Sequence, residues 1–90
     1  MRVLHVNGHD MAYAEHGAGT PLLLLHGTLL DQRWWAPQMV PLGERHRVVA
    51  PSLRHYWPAP WNGTGGGDFT IAQHVEDVAA FIEGLGAGPV

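Results

Sequence analysis

The feature that most constrains the fold of this chain is a run of four leucines at residues 22–25, which stops at His26 and Gly27. A short, wholly apolar run is typical of a strand that is buried on both faces, as in parallel sheets covered by helices. We therefore predict a buried strand over residues 22–25, opened by Pro21, with a tight turn at its exit.

Two strand-like segments precede this run, at residues 2–6 and 9–16, and Asn7-Gly8 separates them. Asn-Gly between two such segments predicts a β-hairpin with a type I′ turn, because that turn requires positive φ at both central residues. The turn fixes the pairing as Val6 with His9, Leu4 with Met11 and Arg2 with Tyr13. The face that carries Leu4 and Met11 is predicted to lie towards the core.

The periodicity becomes helical after Asp31, since Trp35, Met39 and Leu42 recur at spacings of four and three. Asp31 is the predicted N-cap, and Pro37 fits only the first turn of the helix. The helix should therefore start near residue 33 or later, and Pro41 and Gly43 mark its end. Residues 47–50 form the next strand, closed by Pro51, and the order strand, helix, strand predicts a right-handed crossover between parallel strands.

Residues 51–67 are predicted to be a long loop, and a second helix follows it. Thr70 and Gln73 have the spacing of a capping box, and the helix ends near Gly84 or Gly86. Its predicted apolar face carries Ile71, Val75, Val78, Phe81, Ile82 and Leu85. Gln73, Glu76, Asp77 and Glu83 lie mostly on the opposite face, and Pro89-Val90 is predicted to begin another strand.

In this order the elements resemble the N-terminal part of the α/β-hydrolase fold family, over almost all 90 residues. The resemblance rests on residues 21–28, on Trp35 and on residues 47–51. Arg54 matches the arginine of the family's Asp-x-Arg-Gly-x-Gly loop, whereas Ser52 and His55 replace its aspartate and a glycine. The resemblance implies an α/β fold: a partial α/β-hydrolase sheet with an N-terminal β-hairpin, a βαβ crossover and a second amphipathic helix, the helices flanking the sheet. Residues 1–90 would be the N-terminal portion of one incomplete domain.

The resemblance also implies a role for the turn after the leucine run. In the family, a loop after the third strand supplies one backbone N–H of the oxyanion hole. By position that donor is the N–H of Thr28, with Leu29 as the alternative. Gly27 would let the backbone turn, and the His26 side chain would hold the loop by hydrogen bonding. The alternative interpretation is that His26 and Gly27 simply end a strand.

The catalytic groups that such a turn would serve are missing from this sequence. It contains no Gly-x-Ser-x-Gly and no cysteine, and its one serine, Ser52, lacks the flanking glycines of a nucleophile elbow. His74 lies near Glu76 and Asp77, but a solvated or partly packed helical face explains this arrangement better than a catalytic dyad. The complete protein would hydrolyse an ester, epoxide or carbon–halogen bond, and this chain alone is predicted to be inactive.

Aromatic side chains follow both predicted parallel strands, where open α/β sheets bind their ligands. Trp34, Arg54, Tyr56 and Trp57 are therefore predicted to line a pocket for a small-molecule substrate, whereas Trp35 is expected to pack under the helix. Alternatively, the aromatic side chains only cover the loop. A small non-enzymatic α/β protein, which binds a ligand or completes a partner chain, is the alternative function.

Composition excludes several other classes. The net charge is −3 and lysine is absent, which argues against nucleic acid as a partner. The seven histidines form no pair at i, i+4 on a predicted helix, so neither a metal nor another cofactor is expected. The apolar run is too short to cross a bilayer, and the absence of cysteine favours the cytoplasm. An unpaired edge of the leucine strand would favour self-association.

Overall fold

A computed structural model describes residues 2–27, 30–58 and 70–90 of the chain. Its elements are β1 (Arg2–Val6), β2 (His9–His16), β3 (Thr20–Leu23), a 3₁₀ turn (Gln32–Trp35), α1 (Ala36–Gly43), β4 (His46–Pro51) and α2 (Ile71–Leu85). The strands form one sheet in the order β1-β2-β4-β3, in which β3 and β4 are parallel and the other neighbours are antiparallel. This mixed sheet with two helices confirms the predicted α/β class and the βαβ crossover.

The predicted hairpin is confirmed in both its turn and its register. Asn7 and Gly8 have φ values of 48° and 74°, as a type I′ turn requires. The strand partners are Val6 with His9, Leu4 with Met11 and Arg2 with Tyr13. Val6, Met11 and Tyr13 are all buried in the core, so this face of the hairpin supplies one side of the sheet's packing surface.

The central strand β4 contributes side chains to the cores on both faces of the sheet, because successive side chains of a strand point to opposite sides. Val49 packs with Tyr13 of β2 and Phe81 of α2. Val48 and Ala50 pack instead with Met39 of α1. The two helices therefore flank the sheet on opposite faces, as predicted, with a small core on each side.

The strand predicted over residues 22–25 differs from the observed one in position and in burial. β3 spans Thr20–Leu23, and one further hydrogen bond, from Leu24 N–H to the Val49 carbonyl at 2.9 Å, extends its contact with β4. Residues 22–24 are only half-buried, and Leu25 is 45% exposed. The reason is the position of β3: within the described residues it is an edge strand, hydrogen-bonded to β4 on one side only.

The segment after Asp31 begins as predicted but is not one regular helix. The Asp31 carboxylate accepts a hydrogen bond from Arg33 N–H at 2.9 Å, which caps the 3₁₀ turn that precedes α1. Pro37 lies in the first turn of α1, as predicted, whereas Pro41 lies inside the helix rather than at its end. A proline so close to the C-terminus removes a single backbone hydrogen bond, so the helix continues to Gly43.

The limits of α2 agree closely with the sequence. Thr70 Oγ accepts a hydrogen bond from Gln73 N–H at 3.0 Å, and Gly86 ends the helix with a φ of 65° in the left-handed region. Residues 59–67 of the predicted long loop lie outside the described residues. The structure assigns no strand to Pro89 and Val90, which were predicted to begin one. No helix in the described part of the chain combines the length and apolarity that a bilayer-crossing segment needs.

The predicted division of α2 into an apolar and a polar face is partly wrong. Phe81 is fully buried against the sheet, but Ile71 is 82% exposed and Val75 is also exposed. Asp77, predicted to lie mostly opposite the apolar face, is 0% exposed. Asp77 is buried because its carboxylate pairs with the guanidinium of Arg54, which lies in the loop after β4.

Candidate functional site

The carboxyl ends of the parallel strands β3 and β4 meet at one edge of the sheet, and the segments that follow them bind each other. Leu53 N–H, after β4, donates to His26 Nε2, after β3, at 2.9 Å. Gln32 N–H donates to Ser52 Oγ at 3.1 Å. The region where open α/β sheets bind ligands is therefore built from both of these segments.

His26 is buried, and its hydrogen bonds fix which ring nitrogen carries the proton. A backbone N–H can only donate, so His26 Nε2 must accept from Leu53. In the neutral ring the proton is then on Nδ1, which donates to the Gly27 carbonyl at 2.9 Å. In its Nδ1–H tautomer the imidazole thus connects the end of β3 to the loop after β4.

The Gly27 carbonyl accepts a second hydrogen bond, from Leu30 N–H at 3.1 Å. A bond from a carbonyl to the N–H three residues later is the bond of a β-turn. Thr28 and Leu29, the predicted oxyanion-hole donors, lie outside the described residues. Two hydrogen bonds therefore hold the Gly27 carbonyl in place.

Ser52 is buried at the end of β4, and its contacts give it a structural role. Its N–H donates to the Ala12 carbonyl at 2.9 Å, and its hydroxyl accepts from Gln32 N–H. The side chain is 2% exposed. These contacts fit the predicted loop hydroxyl and not a nucleophile, which needs access to a substrate.

The four residues predicted to line a substrate pocket do not all come together. Tyr56 packs edge-on against His26, with ring centroids 4.9 Å apart. Trp57 lies under the Arg33 guanidinium, 3.8 Å from the ring centroid, in a groove of about 500 Å³ on the α1 side. Trp34 is exposed, and Arg54 points its guanidinium at Asp77. Substrate contact by these side chains stays a prediction.

The most extensive polar cluster surrounds the buried carboxylate of Asp77. Arg54 donates from Nε to Oδ2 at 2.8 Å and from Nη2 to Oδ1 at 3.0 Å. Asn7 and Gln73 each donate a side-chain N–H to Oδ1, at 3.0 and 2.9 Å. A further bond from Arg54 Nη2 to the Asn7 carbonyl, at 3.0 Å, ties the loop after β4 to the hairpin turn.

This cluster is not among the predictions from the sequence, although the sequence carries two signals for it. Gln73 and Asp77 are four residues apart on α2, a spacing that places both side chains on one helix face. Arg54 was singled out for its match to the family's loop, but its counter-charge was not identified. The hydrogen bonds assign Arg54 to the interior of the fold as an ion-pair partner.

The pKa of Asp77 reflects two opposed effects. Burial alone would raise the pKa of this carboxyl, but hydrogen bonds from Arg54, Asn7 and Gln73 outweigh it and lower the pKa from 3.8 to about 2. A lowered pKa stabilises the fold above the unfolded value near 3.8, and this stability is lost as the pH falls towards 2. The difference corresponds to about 2 kcal/mol.

Two histidines near the cluster predict a second, milder pH dependence. Burial lowers the pKa of His9 and of His74, the Arg54 cation adds to the lowering, and the Asp77 carboxylate opposes it. As the pH falls below the unfolded value of 6.5, the unfolded chain takes up protons that the folded chain excludes, so stability falls. We expect urea unfolding at pH 7.5 and 5.5 to show this loss.

The substitution His74→Gln should reduce the loss of stability between these two pH values. Val75→Gln, on the exposed side of the same helix, controls for the introduction of a glutamine and should leave the loss unchanged. An equal loss in wild type and His74→Gln would contradict a contribution from His74.

The histidines do not assemble a cation site in residues 2–27, 30–58 and 70–90. There, no group of three or more His, Asp or Glu side chains is placed to bind a metal ion. Both ring nitrogens of His26 are already engaged by the protein. That the chain needs no metal stays a prediction.

Comparison with known proteins relates this geometry to hydrolases, although no protein-family model matches the sequence. The chain is 34% identical over 79 residues to the soluble epoxide hydrolase of Corynebacterium sp. strain C12, covering 86% of this chain and 27% of that protein. The crystal structure of the epoxide hydrolase VrEH1 from Vigna radiata matches it with a TM-score of 0.88 and 38% identity, over 99% of this chain and 29% of that one. The ancestral haloalkane dehalogenase AncHLD2 matches with a TM-score of 0.84 and 27% identity, over 96% and 30%. The chain spans less than a third of each relative.

Proposed function

Because the chain has part of an α/β-hydrolase fold, we propose that it is the N-terminal portion of a hydrolase and supplies one backbone donor of the oxyanion hole. One observation carries the proposal: hydrogen bonds from His26 Nδ1 and Leu30 N–H hold the Gly27 carbonyl at the exit of β3. In a trans peptide unit a carbonyl and the following N–H point in opposite directions. We propose that the fixed Gly27 carbonyl sets the direction of the Thr28 N–H, the donor in question.

Such a donor acts where a nucleophile attacks an ester carbonyl, because negative charge then develops on the carbonyl oxygen. An epoxide has no carbonyl, so with that substrate the step would be the attack of water on the ester that forms when a carboxylate nucleophile opens the ring. A preorganised N–H stabilises this charge without reorganisation at the moment of reaction. The nucleophile, acid and base would come from a part of the hydrolase outside these 90 residues. Since the relatives at 34% and 38% identity are epoxide hydrolases, an epoxide is the substrate that we propose first.

The substrate is proposed to lie beside the aromatic residues that follow the two parallel strands. Tyr56 supports this placement, since its ring rests on His26 at the exit of β3. Trp34, which is exposed, and Trp57, beside Arg33, are proposed as further contacts of the substrate. Arg54 would act indirectly, by holding the loop after β4 through its hydrogen bonds to Asp77, because these bonds engage its guanidinium.

A chimera tests the proposed function. Residues 1–90 would replace the matching N-terminal segment of the Corynebacterium epoxide hydrolase, and hydrolysis of an aryl epoxide would be measured. We expect turnover by the chimera and none above buffer by the 90-residue chain alone. The host protein without its N-terminal segment is the control. A folded, monomeric chimera that does not hydrolyse the epoxide would contradict the proposal.

A second candidate function is that of a chain whose sheet is completed by association with another chain. The apolar surface beside β3 favours this candidate. Leu25 and Leu53 form a groove of about 380 Å³ with Ile71, Val75, Val78 and Ile82 of α2, of which Ile71 and Val75 are exposed. Leu25 follows β3, whose outer edge is unpaired within the described residues, and unpaired strand edges favour pairing with another chain. We propose that the isolated chain self-associates there through its β3 edge.

Sedimentation velocity at micromolar concentration tests the self-association. We expect an oligomer for the wild-type chain and a shift towards monomer in Leu25→Lys, because a charge beside the strand edge opposes pairing. Val3→Lys places the same change on β1, at the opposite edge of the sheet, and should leave the oligomer intact. A sharp wild-type monomer would rule out this candidate.

A further inference from the structure

We propose that the buried Asp77–Arg54 pair is a positioning device for His26. In this proposal the pair holds the loop after β4 so that Leu53 N–H meets His26 Nε2. The imidazole, thus fixed, orients the Gly27 carbonyl. The importance of this arrangement for catalysis rests on the proposed function, whereas the positioning itself is a property of the 90-residue chain.

The loop after β4 is anchored on both sides of Leu53. On one side, Ser52 N–H is bound to the Ala12 carbonyl and Ser52 Oγ to Gln32 N–H. On the other side, Arg54 makes two hydrogen bonds to Asp77 and one to the Asn7 carbonyl. Because both neighbours of Leu53 are held, the direction of its N–H is held as well.

Asp77 is suited to this task because it joins three separate parts of the fold. Its carboxylate accepts from Asn7 in the hairpin turn, from Arg54 in the loop and from Gln73 on its own helix. A buried carboxylate is costly unless it is paired and hydrogen-bonded. The hydrogen bonds to Asp77 offset that cost, and the two from Arg54 hold the Arg54 side chain in a defined position.

The Leu53 N–H then selects the tautomer of His26. A neutral imidazole can carry its proton on either nitrogen, but only the Nδ1–H form can donate to the Gly27 carbonyl. With Leu53 N–H on Nε2, that form is the one favoured. If the loop moved, the Nε2–H form would become accessible and the bond to Gly27 would be lost.

Long-range ¹H–¹⁵N correlation spectra of the ¹⁵N-labelled 90-residue chain test the proposal, since they show which ring nitrogen is protonated. Wild-type His26 should be in the Nδ1–H form alone. Asp77→Asn keeps the side-chain shape but removes the charge, and it should give a mixture of the two tautomers. The same variant should exchange the Leu53 amide hydrogen about tenfold faster, the factor that corresponds to losing one modest hydrogen bond.

Met39→Ala is the control for a general loss of stability, because Met39 lies in the core on the opposite face of the sheet. It should leave the His26 tautomer unchanged. If Asp77→Asn does not fold, Gln73→Ala removes one neutral donor and keeps the ion pair. That variant should accelerate exchange of the Leu53 amide by a smaller factor.

The proposal is overturned if wild-type His26 carries its proton on Nε2. It is also overturned if a folded Asp77→Asn or Gln73→Ala variant leaves both the tautomer and the Leu53 exchange rate unchanged. An inactive chimera with the expected spectra would remove the proposed function and keep the positioning role. An active chimera with unchanged spectra would do the reverse.

Discussion

Asp77→Ala is expected to destabilise the chain by about 3–5 kcal/mol, because it leaves the charge of Arg54 in the protein interior without its carboxylate. The Arg54 side chain is 11% exposed, so water cannot replace the two hydrogen bonds that Asp77 accepts from it. Small domains have total stabilities of about 5–15 kcal/mol. The substitution should therefore remove a large share of the total stability, as measured by urea denaturation followed by circular dichroism at pH 7.

Two comparisons separate this effect from a general cost of removing a carboxylate. Asp10→Ala removes an exposed carboxylate that binds His5 at 2.7 Å, and it should cost less than about 1 kcal/mol. The double substitution Asp77→Ala with Arg54→Met removes both charges and should recover part of the lost stability. If Asp77→Ala costs no more than Asp10→Ala, the buried pair does not stabilise the fold as argued here.

The parts of the fold that were predicted correctly depend on residues close together in the chain. Asn7-Gly8 sets both the turn and the register of the hairpin by backbone conformation alone. Thr70 and Gln73 start α2 through one local hydrogen bond. The contact between the segments after β3 and β4 joins residues 20 and 27 positions apart, and it follows from topology, since two neighbouring parallel strands end at the same edge of a sheet.

The burial of Asp77 could not be predicted in the same way, because its partners are remote. Arg54 and Asn7 lie 23 and 70 residues away in the chain. Periodicity assigns a charged residue on a helix to the solvent face, which is where most such residues lie. Only the packed loop after β4, which carries Arg54 to the helix, reverses that assignment.

The half-exposed β3 has a comparable explanation. Four consecutive leucines indicate burial on both faces, and the strand does contribute to both cores through Leu23 and Leu24. Full burial also requires neighbours beyond its outer edge, and composition cannot show whether a chain supplies them. The described residues pair β3 on one side only, so Leu25 stays exposed.

Thr28→Pro is the second substitution with a large expected effect, and it acts on catalysis. Proline has no backbone N–H, so the variant lacks the proposed donor to the oxyanion. Loss of one such donor lowers kcat by about 10²–10³-fold, equivalent to about 2.7–4 kcal/mol. In the chimera with the Corynebacterium enzyme, kcat should therefore fall by this factor while the KM changes little.

Two variants of the same turn serve as controls. Thr28→Ala removes the side chain and keeps the N–H, so its kcat should stay within a few-fold of the parent chimera. Leu29→Pro deletes the N–H of the alternative donor and introduces the same ring one residue later. A loss of kcat in Leu29→Pro but not in Thr28→Pro would assign the donor to Leu29.

Whether the exit of β3 presents a backbone N–H to the reacting oxygen is decided by the steady-state kcat of two chimeras, one carrying Thr28→Pro and the other Thr28→Ala. We predict a kcat about 10²–10³-fold lower for the proline variant than for the alanine variant. Equal kcat values for Thr28→Pro, Thr28→Ala and Leu29→Pro, in folded chimeras, would contradict it.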